Sequence, residues 1–106
     1  MLITKTLAVV ILAAAAEACS NYHQCRCTME DGSINNTATG AALTYLNTKG
    51  FNIVYNYPAT QDNNGTLWIK RYLNIINGDW VPLDNCKVRE ACTKVGATGN
   101  DSWCEH

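Results

Sequence analysis

Cysteine content is the feature that most restricts what this chain can fold into. Six of its 106 residues are cysteine, and a domain this small can bury only a limited apolar core. The even count favours three disulfide bridges if the chain enters an oxidising compartment. Each bridge contributes about 2–4 kcal/mol, so three would rival the stability of an ordinary domain. The expected disulfide residues are Cys19, Cys25, Cys27, Cys86, Cys92 and Cys104.

The N-terminus points to that compartment. Residues 1–18 have the pattern of a secretory signal peptide, with a lysine near the start, an apolar run at 6–16 and small residues before Cys19. The run is shorter than the roughly 20 residues that span a bilayer. A buried N-terminal helix and a bacterial lipoprotein are the alternatives, although Glu17 does not suit a lipoprotein. We therefore expect a secreted, extracellular protein with one domain at residues 19–106 and no membrane span.

A metal site is the competing interpretation of the cysteines, built on His23, Cys25 and Cys27. One residue separates the two cysteines, whereas zinc sites usually place about two to four residues between such ligands. We therefore expect no metal and no cofactor.

The charge pattern argues against two classes of function. Eight basic and nine acidic residues give a net charge of −1, and 16% of residues are charged. Nucleic-acid binding through phosphate contacts requires a basic excess, and so does attachment of a polybasic peptide to a membrane. Hydrophobic residues make up 47% of the chain, which is enough to form a folded core.

Hydrophobic periodicity predicts the elements of the first two thirds. Residues 22–29 alternate as a strand with Cys25 and Cys27 inward, and a helical pattern follows Asn36, the predicted N-cap. Residues 51–57 and 66–76 alternate as the two strands of a hairpin, and 58–65 is predicted to be a polar loop between them.

The last third of the chain contains clear boundary signals. Asn77-Gly78 indicates a tight turn. Asp84 is the predicted N-cap of a second helix, which Gly96 ends, and a short strand around Trp103 closes the fold.

These elements predict an α+β fold with the order β-α-β-β-α-β. Two helices cover one face of a four-stranded antiparallel sheet, the split β-α-β sandwich, with the first strand central and the second helix across it. That arrangement favours a Cys27–Cys92 bridge. Cys19–Cys104 would then tie the termini and leave Cys25–Cys86, although six cysteines allow many other pairings.

The sequence offers little for catalysis, so we expect no enzyme activity. His23 and His106 are the available imidazoles, and the adjacent carboxylates Glu30 and Asp31 point apart. N-glycosylation sequons begin at Asn35, Asn64 and Asn100, although chance matches are an alternative in a chain this rich in asparagine.

Aromatic side chains are the strongest candidates for binding. Helices cover one face of the predicted sheet, and the other face is either an ordinary solvated surface or a partner-binding patch. Tyr and Trp are favoured contact residues in the second case because they bury large areas at little entropic cost. The candidate partner-binding residues are Tyr55, Tyr57, Trp68, Lys70 and Tyr72.

Short motifs stand out at both ends of the chain, in residues 19–46 and 85–106. They are Tyr22-x-x-Cys25-x-Cys27, Asp31-Gly32-Ser33-x-Asn35-Asn36-x-Ala38-Thr39, Asn85-Cys86, Cys92 and Gly96-Ala97-Thr98-Gly99-x-Asp101-Ser102-x-Cys104. With these motifs the chain resembles a family of secreted cysteine-rich proteins from plant-associated fungi. These are the effectors with the killer-toxin-like αβ-sandwich fold, named for a subunit of a smut-fungus virus toxin.

The resemblance implies a β-α-β-β-α-β sandwich, no catalytic site and a role at the host interface. The chain departs from the family in one respect, because members usually carry eight cysteines, one of them in the first helix. Leu43 stands at that place, and the usual partner in the middle segment is also absent.

We therefore expect a secreted fungal effector, a monomer that binds a host plant protein or a second secreted effector. The alternatives are a killer-toxin-like antimicrobial protein and a small secreted hydrolase or hydrolase inhibitor.

Overall fold

The computed structural model describes residues 19–48, 56–99 and 101–106, so the predicted signal peptide, Tyr55 and Asn100 lie outside the described residues. The described chain is α+β. Its helices are α1 (Asn36–Thr48) and α2 (Asn85–Lys94). Its strands are β1 (Asn21–Tyr22), β2 (Gln24–Arg26), β3 (Ala59–Gln61), β4 (Leu67–Lys70), β5 (Tyr72–Asn74), β6 (Asp79–Val81), β7 (Leu83–Asp84) and β8 (Trp103–Glu105).

The main sheet is antiparallel and has the strand order β3-β4-β2-β8. The predicted first strand, residues 22–29, is too long, because the structure breaks it at His23 and ends β2 at Arg26. Its central position is as predicted, since β2 lies between β4 and β8. Two further ladders pair β1 with β7 and β5 with β6. These ladders arise where the chain bends, at His23 between β1 and β2, at Arg71 between β4 and β5, and at Pro82 between β6 and β7.

The core lies between the helices and the main sheet. Helix α1 packs on α2 and on β4, and α2 also packs on β2 and β7. Small side chains on α1 let the helices approach closely, and branched side chains fill the remaining space. The buried apolar residues include Ala38, Ala42 and Leu46 of α1, Val88 and Ala91 of α2, and Ile69 and Leu83 of the strands.

Thr39 is a polar member of this core and is fully satisfied. Its hydroxyl oxygen accepts a hydrogen bond from the backbone N–H of Cys27 (3.0 Å) and donates to the carbonyl of Asn35 (3.2 Å). Burial of a hydroxyl is tolerated when it has such partners, so Thr39 anchors α1 to the end of β2.

The predicted cap of α1 is wrong by one residue. Asn35 is the N-cap, since its side-chain oxygen accepts from the N–H of Ala38 (3.0 Å). Asn36 instead binds the next loop, donating to the carbonyl of Gly65 (2.7 Å) and accepting from the N–H of Leu67 (2.9 Å). In the second helix, Asp84 caps α2 as predicted, because its carboxylate accepts from the N–H groups of Cys86 and Lys87.

The predicted hairpin also differs from the structure. The strand that pairs with β4 is β3, at Ala59–Gln61, inside the segment predicted to be a loop; residues 51–55 lie outside the described chain. Asp62 holds the loop between β3 and β4 in a tight turn, because its carboxylate accepts hydrogen bonds from the N–H groups of Asn64 (2.9 Å) and Thr66 (3.0 Å). The positive φ of Gly65 completes this tight connection.

The second predicted strand, residues 66–76, is divided in two. It breaks at Arg71 between β4 and β5, and residues 75–78 form a turn. The Asn77-Gly78 turn is confirmed, with Gly78 at positive φ and β6 returning along β5. Strands β6 and β7 were not predicted.

The disulfides confirm one predicted pairing and correct two. Cys27–Cys92 is present as predicted. Cys19 pairs with Cys86, and Cys25 pairs with Cys104, so the predicted Cys19–Cys104 and Cys25–Cys86 bridges are wrong.

Strand pairing explains both corrections. Cys25 and Cys104 are directly opposed on β2 and β8, with Cα atoms 4.1 Å apart. Cys19 lies beside the start of α2 because Ser20 and Asn85 exchange hydrogen bonds, of 2.7 and 3.1 Å. The register of the last strand therefore decides which cysteines meet.

Candidate functional site

The main sheet carries a row of stacked side chains on the strand positions that alternate with the core cysteines. Arg26 of the central strand lies between two indoles, with its guanidinium carbon 5.4 Å from the ring centroids of both Trp68 and Trp103. Two guanidinium nitrogens of Arg26 are buried without a hydrogen-bond partner. The aromatic faces flank this cation on both sides and attract it electrostatically.

A hydrogen bond to the loop before β4 fixes Trp68 in this row. Its indole N–H donates to the carboxylate of Asp62 (3.0 Å). That hydrogen bond is the largest cause of a lowered Asp62 pKa, followed by the backbone N–H of Thr66; partial burial opposes them, and the charge of Arg26 adds a smaller lowering. The row is therefore an organised structural element, with one indole buried (7% exposed) and the other, Trp103, open to solvent (54%).

A polar row lies beside it on the same face of the sheet, two residues along each strand. Lys70 donates a hydrogen bond to the side-chain carbonyl of Gln24, and the amide of Gln24 donates to Glu105 (2.6 Å). The three residues occupy neighbouring strands in register. The amide of Gln24 thus separates the ammonium of Lys70 from the carboxylate of Glu105.

The β5–β6 hairpin exposes a set of apolar side chains. Leu73 and Trp80 are directly opposed across the two strands and are 44% and 52% exposed. At the turn, Ile75 is 87% exposed and Ile76 is 94% exposed. We call these four residues the hairpin surface. Isolated exposed apolar residues are ordinary, but adjacent ones form a patch that favours contact with a partner.

The opposite side of the same hairpin is packed. Tyr72 contacts Tyr57 edge-on, with ring centroids 5.1 Å apart, and the hydroxyl of Tyr57 donates to the carbonyl of Pro82 (3.2 Å). Because Tyr57 packs against this side of the hairpin, Leu73 and Trp80 on the other side face solvent.

The predicted partner-binding residues are only partly brought together. Tyr57 and Tyr72 are half-buried on the packed side of the hairpin, and Lys70 is half-buried at the end of β4. Trp68 was selected for its expected exposure, and it is buried instead. Tyr55 lies outside the described chain.

Sequence reasoning missed the residues that are most exposed. Ile75 and Ile76 were assigned to the end of a strand, although the Asn77-Gly78 signal that follows them could have placed them at a turn. Trp80 was missed because β6 was not predicted.

The sequons differ in accessibility. Asn64 is exposed in the Asp62 loop, whereas the side chain of Asn35 caps α1 and its amide faces the sulfur of Met29 (3.4 Å). Glycosylation at these positions, and at Asn100, stays a prediction.

Disulfide pairing decides the chemistry of the cysteines in the described chain. All are bridged, and none is a free thiol. Cys19, Cys86 and Asp84 lie within 4.8 Å of one another, but the two sulfurs are bonded to each other and are not thiolate ligands.

Comparisons with protein-family models, with curated proteins and with solved structures find no match to this chain. No helix in the described part of the chain is long and apolar enough to cross a membrane.

Proposed function

We propose that the protein is a secreted effector that acts without catalysis, by binding a host plant protein or a second secreted effector through the hairpin surface. The observation that carries the proposal is the exposure of Ile75 and Ile76, 87% and 94%, at the turn of a hairpin whose other face is packed.

Secretion and the finer fold are parts of the same proposal. Three disulfides suit an oxidising, extracellular setting. The order β3-β4-β2-β8, with one helix before β3 and the other before β8, supports the β-α-β-β-α-β sandwich that the family resemblance implies. In that scheme, β5, β6 and β7 are an insertion that carries the hairpin surface.

A protein partner suits the hairpin better than a lipid surface. Asn74, Asn77 and Asp79 flank the two isoleucines, and burying their polar groups in hydrocarbon without partners is costly. A protein groove can accept the isoleucines while it leaves these groups in water or hydrogen-bonded. An apolar centre with a polar rim is typical of such interfaces.

The affinity at stake follows from the exposed side chains. Complete burial of one isoleucine is worth about 1.5–3 kcal/mol. Losing two should therefore weaken binding by more than about 100-fold.

The test uses oxidised protein, produced by secretion from the full chain, to isolate a partner from plant extract. The affinity of that partner is then measured for the wild type and for Ile75→Ser/Ile76→Ser. Ile34→Ser is the matched control, because Ile34 is an exposed isoleucine (48%) at a separate site. We expect the double variant to lose more than 100-fold in affinity and the control to bind as the wild type does.

Three outcomes would contradict the proposal. The first is unchanged partner affinity in the double variant. The second is hairpin-dependent binding to lipid vesicles in place of a protein. The third is hairpin-dependent growth inhibition of competing microbes without a host partner, which would favour the antimicrobial alternative.

A further inference from the structure

A second feature lies at the base of the hairpin, where the chain bends at His23 and Arg71. A surface pocket of about 370 Å³ opens there. Among the described residues that line it, four side chains are cationic or can become so, and none is a carboxylate. The lining residues are His23, Gln24, Lys70, Arg71, Trp80 and His106.

Arg71 is held in position by stacking and by its backbone. Its guanidinium carbon lies 4.2 Å from the centroid of the Trp80 ring, and its backbone N–H donates to the carbonyl of His23 (2.9 Å). The side chain makes no hydrogen bond or ion pair within residues 19–48, 56–99 and 101–106; the ion pair found there joins Arg89 to Asp101 (4.0 Å). Stacking therefore orients the guanidinium and leaves its N–H donors for a ligand.

The charge of Lys70 is not neutralised directly either. Its ammonium donates to the neutral amide of Gln24, and the carboxylate of Glu105 lies beyond that amide. The other oxygen of Glu105 accepts from the indole N–H of Trp103 (3.3 Å). This carboxylate therefore has a donor on each oxygen, and Glu105 is not among the residues that line the pocket.

The two imidazoles complete the lining. The ring of His106 lies 5.5 Å from that of His23, edge-on, and 4.8 Å from that of Tyr22. The pKa of His23 is lowered, first by desolvation and then by the charges of Arg71 and His106. Positive charge on the neighbouring side chains thus disfavours protonation of His23, and an anion bound among them would oppose that effect.

We propose that this pocket binds an oxyanion, a carboxylate or phosphate group, with Arg71 as its main donor. A guanidinium matches two oxygens of either group at once, which an ammonium cannot do. Lys70 adds charge, and the imidazoles add hydrogen-bond donors around it. The pocket shares Trp80 with the hairpin surface, but its ligand does not depend on that surface being a docking site.

The experiment is a nuclear magnetic resonance titration of the isotopically labelled, oxidised protein. Sodium acetate and inorganic phosphate are the two probes, and sodium chloride at matched ionic strength is the control. We expect saturable shifts of the Arg71 side-chain N–H and of both imidazoles with acetate, phosphate or both. A preference for acetate identifies a carboxylate ligand, and a preference for phosphate identifies a phosphate ligand.

Variants separate this pocket from general charge effects. Arg71→Gln should weaken binding of the preferred probe at least tenfold, and Arg71→Lys should recover only part of it. Arg89→Gln removes an arginine outside the pocket and should bind as the wild type does. The proposal is overturned if both probes act like chloride, or if Arg71→Gln binds as tightly as the wild type.

The hairpin variant keeps the two proposals apart. Ile75→Ser/Ile76→Ser leaves the lining of the pocket intact, so it should bind the probe normally. Loss of partner binding together with normal probe binding would support both proposals. Normal partner binding in that variant would refute the hairpin proposal alone.

Discussion

The stability that one disulfide contributes here should depend on the other two. All three bridges join the segment 19–27 to the segment 86–104, across separations of 65 to 79 residues. In a chain without other crosslinks, a bridge over 65 residues restricts the unfolded state by about 4 kcal/mol. The neighbouring bridges shorten that loop, so each bridge should contribute less.

The shortened loop can be followed through the structure. When Cys25–Cys104 is intact, the loop closed by Cys27–Cys92 runs from Cys27 back two residues to Cys25, across that bridge to Cys104, and back twelve residues to Cys92. The loop therefore contains about 14 residues. A loop of that length corresponds to about 3 kcal/mol.

Burial adds a second contribution for Cys27–Cys92. Cys27 is 0% exposed and Cys92 is 4% exposed, so Cys27→Ala/Cys92→Ala also removes two packed sulfur atoms. Each loss resembles the deletion of a buried methylene, about 0.5–1.5 kcal/mol. We expect a total loss of about 4–6 kcal/mol.

Cys19→Ala/Cys86→Ala is the matched control. With Cys27–Cys92 intact, its loop is also about 14 residues, eight on one segment and six on the other. Its sulfurs are not in the buried core, so we expect a loss of about 3 kcal/mol. Denaturant unfolding under non-reducing conditions measures both variants. The reasoning is refuted if the control loses as much as the buried pair, or more.

Two further predictions concern single side chains. The indole N–H of Trp68 is the main cause of the lowered pKa of Asp62. The ionised carboxylate therefore stabilises the folded state fully above a pH of about 3.8, and this contribution is lost as the pH falls through the folded-state pKa. Between pH 5 and pH 2, the free energy of unfolding measured with denaturant should fall less steeply for Asp62→Asn than for the wild type. The same pH dependence in both proteins would contradict this. A Cβ on Gly99 would lie within 3.0 Å of the Thr28 backbone, so Gly99→Ala should cost about 1–3 kcal/mol. A Cβ on Gly40 has space within its helix, so Gly40→Ala should raise the free energy of unfolding by up to about 1 kcal/mol. A comparable loss of stability in the Gly99 and Gly40 variants would refute the steric argument.

Local signals in the sequence were sufficient for several elements. Asp84 marks the start of the second helix and Gly96 marks its end, because capping and positive φ depend on a few adjacent residues. Asn77-Gly78 specified its turn for the same reason. Alternation placed Cys25 and Cys27 in the core, and the central first strand made Cys27–Cys92 predictable.

Other features depended on contacts between distant segments. The register of β2 with β8 determines the partner of Cys25, and a shift of register cannot be seen in local periodicity. Asn35 and Asn36 are both good cap residues, and the contact of Asn36 with the loop before β4 decides between them.

The sequence by itself determined the kind of protein this is, a small α+β domain with paired cysteines, because composition, caps and periodicity act over short distances. Tertiary structure decided which residues are available for binding. Trp68 is buried beside Arg26, while Ile75, Ile76 and Trp80 are exposed, since exposure depends on which faces the packed strands leave uncovered. The same packing brings His23, Arg71 and His106 into one pocket from three separate parts of the chain.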